Sequence, residues 1–458
     1  MSGWNVLKKR RASTILVLDA IVFGVVYYYI PEMVRPLDGV LITAFGLGLI
    51  TVLWLRNGLL RNVAMTVAVV AAVLFGLEMA EKKFDLTGML DEPAQPQARK
   101  DYGPAKYAWK MGSAASYLDA VARYRADGGD PDVLSMNFAG DVFKGTPSTD
   151  LSVRMKRQGG KEEAWIGRKP ANIPGPPLGY ELSPDNLLRH YVKDAKSGEM
   201  ALDISWTTGG DGLRKTRCLN QDGDVYLFLG CSVTFGFGLN DDETIPHFFA
   251  AEKEFQDRVL NFGVSGYGPH QTLRDLELNR HSGKADFDLA RVKAVVYTLI
   301  NDHARRADNP SVPGEPKYAL ENGALTFIGE VGDSVLGGRV DLVLERGRIY
   351  PKLRSKFAEK ANALKGEYRL ELLYVLLGRI DQLCRERYGV GLTVLYCDDD
   401  EMLAKEVARH VDAVVMADSA MPEEWRSEPI KYYVYDGHYS ANTNRFLAQG
   451  LRAHFAEK

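Results

Sequence analysis

From residue 224 onward, short runs of Val, Leu and Ile alternate with stretches of helical periodicity, and this alternation constrains the fold more than any other feature of the chain. The apolar runs fall at 224–229, 259–264, 294–300, 391–397 and 412–417. Each is continuous rather than alternating, as in strands covered on both faces. The intervening stretches, notably 269–281 and 355–388, carry the helical pattern. Strand–helix–strand succession predicts a parallel sheet between two layers of helices. Ligands of such sheets bind outside the carboxyl ends of the strands, so candidate chemistry is sought there. One excursion interrupts the order: KYALENGALTFIGE at 317–330 has Asn322-Gly323 between apolar runs, which predicts an inserted hairpin within about 311–350.

The strand ends supply reactive residues in order. FLGCSVTFGFGLNDDETIP (228–246) runs from a strand into a Gly-Cys-Ser turn and a glycine-rich loop, which presents Ser232. NFGVSGYGPHQ (261–271) offers the backbone N–H of Gly266, and YTLINDHARR (297–306) places Asn301 where the third strand stops. YVYDGHYSANTN (433–444) sets Asp436 two residues ahead of His438. Acyl transfer needs a nucleophile, a base, a carboxylate that orients the base, and donors for the oxyanion. Ser232, His438 and Asp436 meet the first three needs, and the Ser232 N–H, the Gly266 N–H and the Asn301 amide meet the fourth. His303 and His270 lie in the same loops and are weaker candidates for substrate contact.

Ser265 is a rival nucleophile, but Tyr267 stands where a G-x-S-x-G elbow needs its last glycine. Asp241, Asp242 and Glu243 precede a proline-started helix and read as charge complementing its dipole rather than as metal ligands. Arg305 and Arg306 read as a surface charge pair. No HExxH, Walker A or dinucleotide glycine pattern is present, so neither a metal nor a cofactor is expected.

The four blocks together resemble those of the SGNH or GDSL hydrolases, over about residues 224–456. That resemblance implies a flavodoxin-like three-layer sandwich with a five-stranded parallel sheet. It also implies serine esterase or acyltransferase chemistry at Ser232, Gly266, Asn301 and His438. Three departures stand out: Cys231 occupies the Asp position of Gly-Asp-Ser, Leu299 the Gly position of Gly-x-Asn-Asp, and Tyr435 the position of the usual carboxylate. The Asp436-Gly-His438 spacing instead resembles the D-x-H form of alginate O-acetylation proteins in the same superfamily.

The first 80 or so residues differ in kind. Lys8, Lys9, Arg10 and Arg11 precede apolar segments at 15–30, 40–55 and 63–76. These are somewhat short of the roughly 20 residues a bilayer core asks for, and they read as three transmembrane helices. YYYIPEM after the first segment lacks a small-residue cleavage site, which argues against a removed signal peptide. Arg56 and Arg61 in the second loop, against Arg35 alone in the first, place the N-terminus and that loop in the cytoplasm and the C-terminal part across the membrane. The chain thus divides into a membrane anchor (1–82), a linker and irregular β-rich extension (83–222) and a hydrolase-like domain (223–458).

With 57 Lys and Arg against 60 Asp and Glu, the net charge of −3 lacks the basic excess that nucleic acid requires. The four cysteines form no C-x-x-C pair; Cys384 and Cys397 sit in apolar runs and read as buried thiols. The expectation is a bacterial inner-membrane protein whose periplasmic domain acts on acyl, chiefly acetyl, esters of a cell-envelope or exported polysaccharide, alongside other envelope polysaccharide machinery. Two alternatives stand beside it: a catalytically degenerate glycan-binding or scaffold subunit, and a lipid acyl hydrolase.

Overall fold

Helix α1 (Ala114–Ala126) is the first described helix, and Ser113 caps it, its side chain accepting from the Ser116 N–H. Tyr117, Leu118, Val121 and Tyr124 recur at helical spacing and are buried, while Arg123 and Arg125 complement the carboxyl end of the dipole. The computed structural model describes residues 105–134, 142–143, 146, 150–175, 177–321, 323–332 and 366–457. The described secondary-structure elements belong to one compact unit, Lys100–Val331 with Gly366–Lys458. The apolar segments at 15–30, 40–55 and 63–76 lie outside the described residues, and no described helix is long and apolar enough to cross a membrane.

The region expected to be irregular is an ordered antiparallel sheet. Strands β1 (Ser152–Gln158), β2 (Lys161–Gly167), β5 (Leu187–Asp194) and β6 (Met200–Thr207) pair in that order, while β3 (Asn172–Pro174) and β4 (Tyr180–Leu182) form a separate ribbon. Along β5 burial alternates residue by residue, so one face packs and the other meets solvent. β1 lies on the edge with nearly every residue exposed, which is why its composition gave no apolar pattern to read.

The second half builds the parallel sheet. Its strands are β7 (Val225–Leu229), β8 (Arg258–Asn261), β9 (Val292–Leu299), β12 (Leu392–Tyr396) and β13 (Ala413–Met416), in the spatial order β13-β12-β9-β7-β8. Every pairing is parallel. Counted along the chain this is the order 2-1-3-4-5 of flavodoxin-like sheets, whose switch point lies between the first and third strands, here β7 and β9. The inserted hairpin is β10 (Pro316–Glu321) with β11 (Ala324–Glu330); the rest of the predicted insertion, 333–350, lies outside the described residues.

Nine α-helices among the described residues follow α1: α2 (Ser232–Phe235), α3 (Ile245–Ala251), α4 (Pro269–Glu277), α5 (Arg280–Lys284), α6 (Asp302–Asp308), α7 (Gly366–Tyr388), α8 (Glu401–Val407), α9 (Ala417–Ala420) and α10 (Ala441–Ala456). They cover both faces of the sheet. On one side Leu227, Val295 and Val394 pack with Leu273 of α4 and Leu373, Leu376 and Ile380 of α7. On the other, Phe228, Val296 and Leu395 pack with Phe249 of α3 and Leu447 and Leu451 of α10. Adjacent residues of one strand thus enter opposite cores, which is what makes the strands read as continuous apolar runs.

The antiparallel sheet shares a third core with the half built on the parallel sheet. Leu188, Ile204 and Trp206 pack with Phe235, Val264, Tyr267 and Tyr435, and with Tyr117 and Val121 of α1. All four cysteines are free thiols, three of them buried.

Candidate active site

Register brings the reactive loops together. Leu229 of β7 pairs with Tyr297 of β9, and Phe228 pairs with Asn261 of β8. Ser232, Gly266 and Asn301 therefore leave the sheet at the same carboxyl edge, around the β7–β9 switch point. Ser232 is the first residue of α2 and is largely buried, so its backbone N–H has no carbonyl four residues earlier to bond.

His438 Nε2 lies 3.0 Å from Ser232 Oγ, and His438 Nδ1 lies 3.1 Å from Asp436 Oδ1. These side chains form a Ser-His-Asp triad. The short D-x-H spacing gives the triad an unusual detail. The same Oδ1 also accepts the His438 backbone N–H at 3.2 Å, and the imidazole Nδ1 approaches it at an angle poor for a hydrogen bond. Asp436 therefore acts on the ring mainly through its charge. Burial alone lowers the affinity of His438 for a proton, but the Asp436 carboxylate overcomes it and raises the pKa above its ordinary value. Burial likewise pushes Asp436 up, while His438 and, at longer range, His190 pull it below the usual carboxylate range.

Asn301 is held by bonds that leave a side-chain donor over, and Gly266 is held by its turn. Asn301 Oδ1 accepts the Tyr396 hydroxyl, and the Asn301 N–H donates to Asp398 at 2.7 Å, which orients the amide and leaves Nδ2 without a partner among the described residues. Gly266 has φ +91°, and a Cβ there would stand 2.4 Å from the Tyr180 hydroxyl, so both the loop's turn and the approach of Tyr180 require glycine. That hydroxyl donates to the Ser265 carbonyl at 2.8 Å, and the Tyr267 hydroxyl donates back to the Tyr180 carbonyl.

The antiparallel half braces every loop of the triad. Arg214, fully buried, donates through Nη1 to the carbonyls of Phe235 and Gly236, both at 2.7 Å, and through Nη2 to Leu239 at 2.6 Å. These carbonyls belong to the turn that follows Ser232. Trp109 Nε1 and the Gly112 N–H donate to the Tyr435 carbonyl at 2.9 and 3.0 Å, one residue before Asp436. Gly437, at φ +91°, closes the turn between Asp436 and His438 against the Met111 side chain. Sequence reasoning missed Arg214, Tyr180 and Trp109 because each acts on residues far away in the chain.

Several expectations are corrected. His303 and His270 are 0% and 1% exposed, so neither ring faces the open cleft as a substrate contact. His303 Nδ1 sits 2.9 Å from the Tyr297 hydroxyl, and neither ring nitrogen of His270 has a hydrogen-bond partner among the described residues. Both are packed because α4 and α6 turn these residues into the interior. Asp241 lies in the first turn of a short helix and does more than place charge there: its carboxylate takes the Thr207 hydroxyl at 2.6 Å and Arg214 Nε at 3.1 Å, tying the loop after Ser232 to β6. Arg306 is half-buried, bonding Asp302 at 2.7 Å and the Tyr267 carbonyl at 2.8 Å, and only Arg305 stays at the surface.

The buried histidines make stability pH-dependent. Burial, aided by the Arg306 charge, pushes His270 down to about 3, and the same causes hold His303 well below its ordinary value. The unfolded chain then takes up protons first, so stability is full above an unfolded pKa of about 6.5 and falls as the pH drops through it. For His270 alone the loss between pH 8 and pH 5 is about 2 kcal/mol. Urea unfolding of wild type and His270→Gln at both pH values measures it, and an equal loss in the two proteins excludes His270 as the source.

No protein-family model matches the chain, and no curated protein does. Solved structures do. One is described as a member of the lipolytic G-D-S-L family from Veillonella parvula, with 10% identity over 51% of this chain and 99% of that one and a TM-score of 0.30. A carbohydrate acetylesterase family member from Sinorhizobium meliloti shows 14% identity over 50% and 96%, with a TM-score of 0.25. The lipase Lip_vut3 from a goat rumen metagenome shows 14% identity over 50% and 96%, with a TM-score of 0.26. At these values the strand order and the triad distances, not the likeness, describe the site.

Proposed function

We propose that the chain is an SGNH-type serine esterase or O-acyltransferase. The observation that carries this reading is the hydrogen-bonded Ser232–His438 pair with the Asp436 carboxylate behind it, at the switch point of a parallel sheet. His438 takes the Ser232 proton as Oγ attacks the acyl carbonyl. The oxyanion forms beside the Ser232 and Gly266 N–H groups and the Asn301 amide, and His438 then protonates the departing alkoxide. The resulting acyl-enzyme passes its acyl group to water in an esterase or to a sugar hydroxyl in a transferase, with His438 again taking the proton.

The rest of the reading is carried by sequence: three apolar segments and their flanking charges support a multi-pass anchor in a bacterial inner membrane, with the catalytic part outside the cytoplasm. A domain tethered there meets envelope or exported polysaccharide, and acetyl esters on such a glycan are the proposed substrate. A fluorophosphonate probe tests the chemistry directly. The expected outcome is a single covalent adduct on the peptide carrying Ser232, found by mass spectrometry; labelling at Ser265, or none at all, overturns the assignment.

A further inference from the structure

Two of the proposed oxyanion donors stand on different loops, Gly266 between β8 and α4 and Asn301 between β9 and α6. A single side chain joins these loops. Arg306 lies one helical turn after Asp302 on α6, and its Nε bonds the Asp302 carboxylate at 2.7 Å. Its Nη1 donates to the Tyr267 carbonyl at 2.8 Å. The planar guanidinium therefore spans from the residue after Asn301 to the residue after Gly266. Packing is tight at this point: a Cβ on Gly268 would stand 3.1 Å from the Arg306 Cβ.

The other bonds of each loop run elsewhere. The Tyr180 hydroxyl holds the Ser265 carbonyl from β4, and Gln271 of α4 accepts the Gly268 N–H at 2.9 Å. Across the site, Tyr396 and Asp398 hold Asn301 from the end of β12. Asp302 is fixed from outside by Arg305, at 2.6 and 3.0 Å, so its carboxylate is a firm anchor for Arg306. Arg305 does not reach the Gly266 loop.

The charge of Arg306 also matters. His438 is faced by Ser232, the Phe237 ring and Asp436, and it feels Arg306 at longer range. Burial lowers its affinity for a proton, Asp436 raises it and Arg306 lowers it. His270 and His303, which lie near Arg306, are held neutral by burial at neutral pH and add no charge of their own.

We propose that Arg306 is a positioning residue for the reaction: through Asp302 and the Tyr267 carbonyl it fixes the separation of the Asn301 and Gly266 donors, and its charge opposes that of Asp436 at His438. The proposal rests on the reading of Ser232, His438 and Asp436 as an ester-processing centre.

The test compares Arg306→Met, Arg306→Lys and Arg305→Met in the full-length chain, by p-nitrophenyl acetate kinetics across pH and by the rate of fluorophosphonate labelling. Arg306→Met is expected to lower kcat and the labelling rate by about 10–10²-fold with KM within about threefold, because the donors serve the transition state. Its acid limb of kcat/KM should move to higher pH, since the imidazolium loses a repelling charge. Arg306→Lys keeps the charge without the fork, so the limb should stay while kcat remains low. Arg305→Met should leave kcat within about threefold of wild type.

Wild-type kcat in both Arg306 variants, a change in KM alone, or an equal loss with Arg305→Met overturns the brace. An acid limb that stays in place in Arg306→Met overturns the role of the charge. Unfolding midpoints near that of the wild type separate these effects from lost structure, and if the methionine variant fails to fold, unchanged kcat in Arg306→Lys overturns the brace. Absence of labelling at wild-type Ser232 rejects the catalytic reading and the brace with it. Labelling of wild type and Arg306→Met at one rate rejects the brace alone.

Discussion

Ser232→Ala is expected to lower ester turnover by about 10⁴–10⁶-fold while leaving the unfolding midpoint near that of the wild type, because it removes the attacking oxygen and little else. p-Nitrophenyl acetate hydrolysis by the two full-length proteins measures the ratio, and equal rates would end the catalytic proposal. Asp436→Asn sharpens the test. With the carboxylate present, the His438 pKa stands above its ordinary value although burial alone lowers it. The base works as neutral imidazole, so activity is complete above that pKa and falls as the pH drops through it. Removing the charge leaves burial unopposed, which moves the acid limb of the kcat/KM profile to lower pH, alongside a fall of about 10³–10⁴-fold in rate. Because Asp436 meets His438 mainly as a charge, the shift should appear although the ring's hydrogen bond is poor. An acid limb that stays in place would show that Asp436 does not tune the base.

The largest effect on stability is expected at Arg214. Its guanidinium is buried, lies over the Phe235 ring at 4.6 Å, and bonds the carbonyls of Phe235, Gly236 and Leu239 and the Asp241 carboxylate. Arg214→Met keeps much of the volume but supplies no donor, so three carbonyls and a carboxylate each lose a charged donor, the carboxylate keeping Thr207. Breaking a buried pair in this way costs about 3–5 kcal/mol, a large part of the roughly 5–15 kcal/mol that holds a folded domain. Arg214→Lys keeps the charge but lacks the planar fork, and should recover only a fraction. Turnover should fall with both variants, since the turn they loosen carries Ser232. Denaturant unfolding monitored by tryptophan fluorescence gives the stability; a loss in the methionine variant below about 1 kcal/mol, the range of an exposed ion pair, would show that Arg214 is not the clamp described.

The candidate residues of the site were legible because they sit at strand ends. Ser232, Asn301 and the Asp436-Gly-His438 turn follow local patterns, and the five parallel strands lie within about three residues of the apolar runs that announced them. His303 and His270 were misread because a polar residue in a loop-like stretch looks solvated until the helices that carry it are packed. The extension from β1 to Arg214 was harder still. Its edge strand is exposed and lacks apolar alternation, and GGDGLRKT around Arg214 reads locally as a turn.

By itself, then, the sequence determined the layered α/β class and picked out the candidate residues Ser232, His438 and Asp436 that the fold brings together, since strand periodicity and loop chemistry are properties of neighbouring residues. Only the tertiary structure decided that the antiparallel half belongs to the site. Arg214 reaches carbonyls 21–25 residues away, Tyr180 braces Ser265 across 85, and Trp109 holds Tyr435 across 326. Such contacts have no local signature. They form only once folding has brought distant polar groups into a shared interior, where each buried donor must find an acceptor.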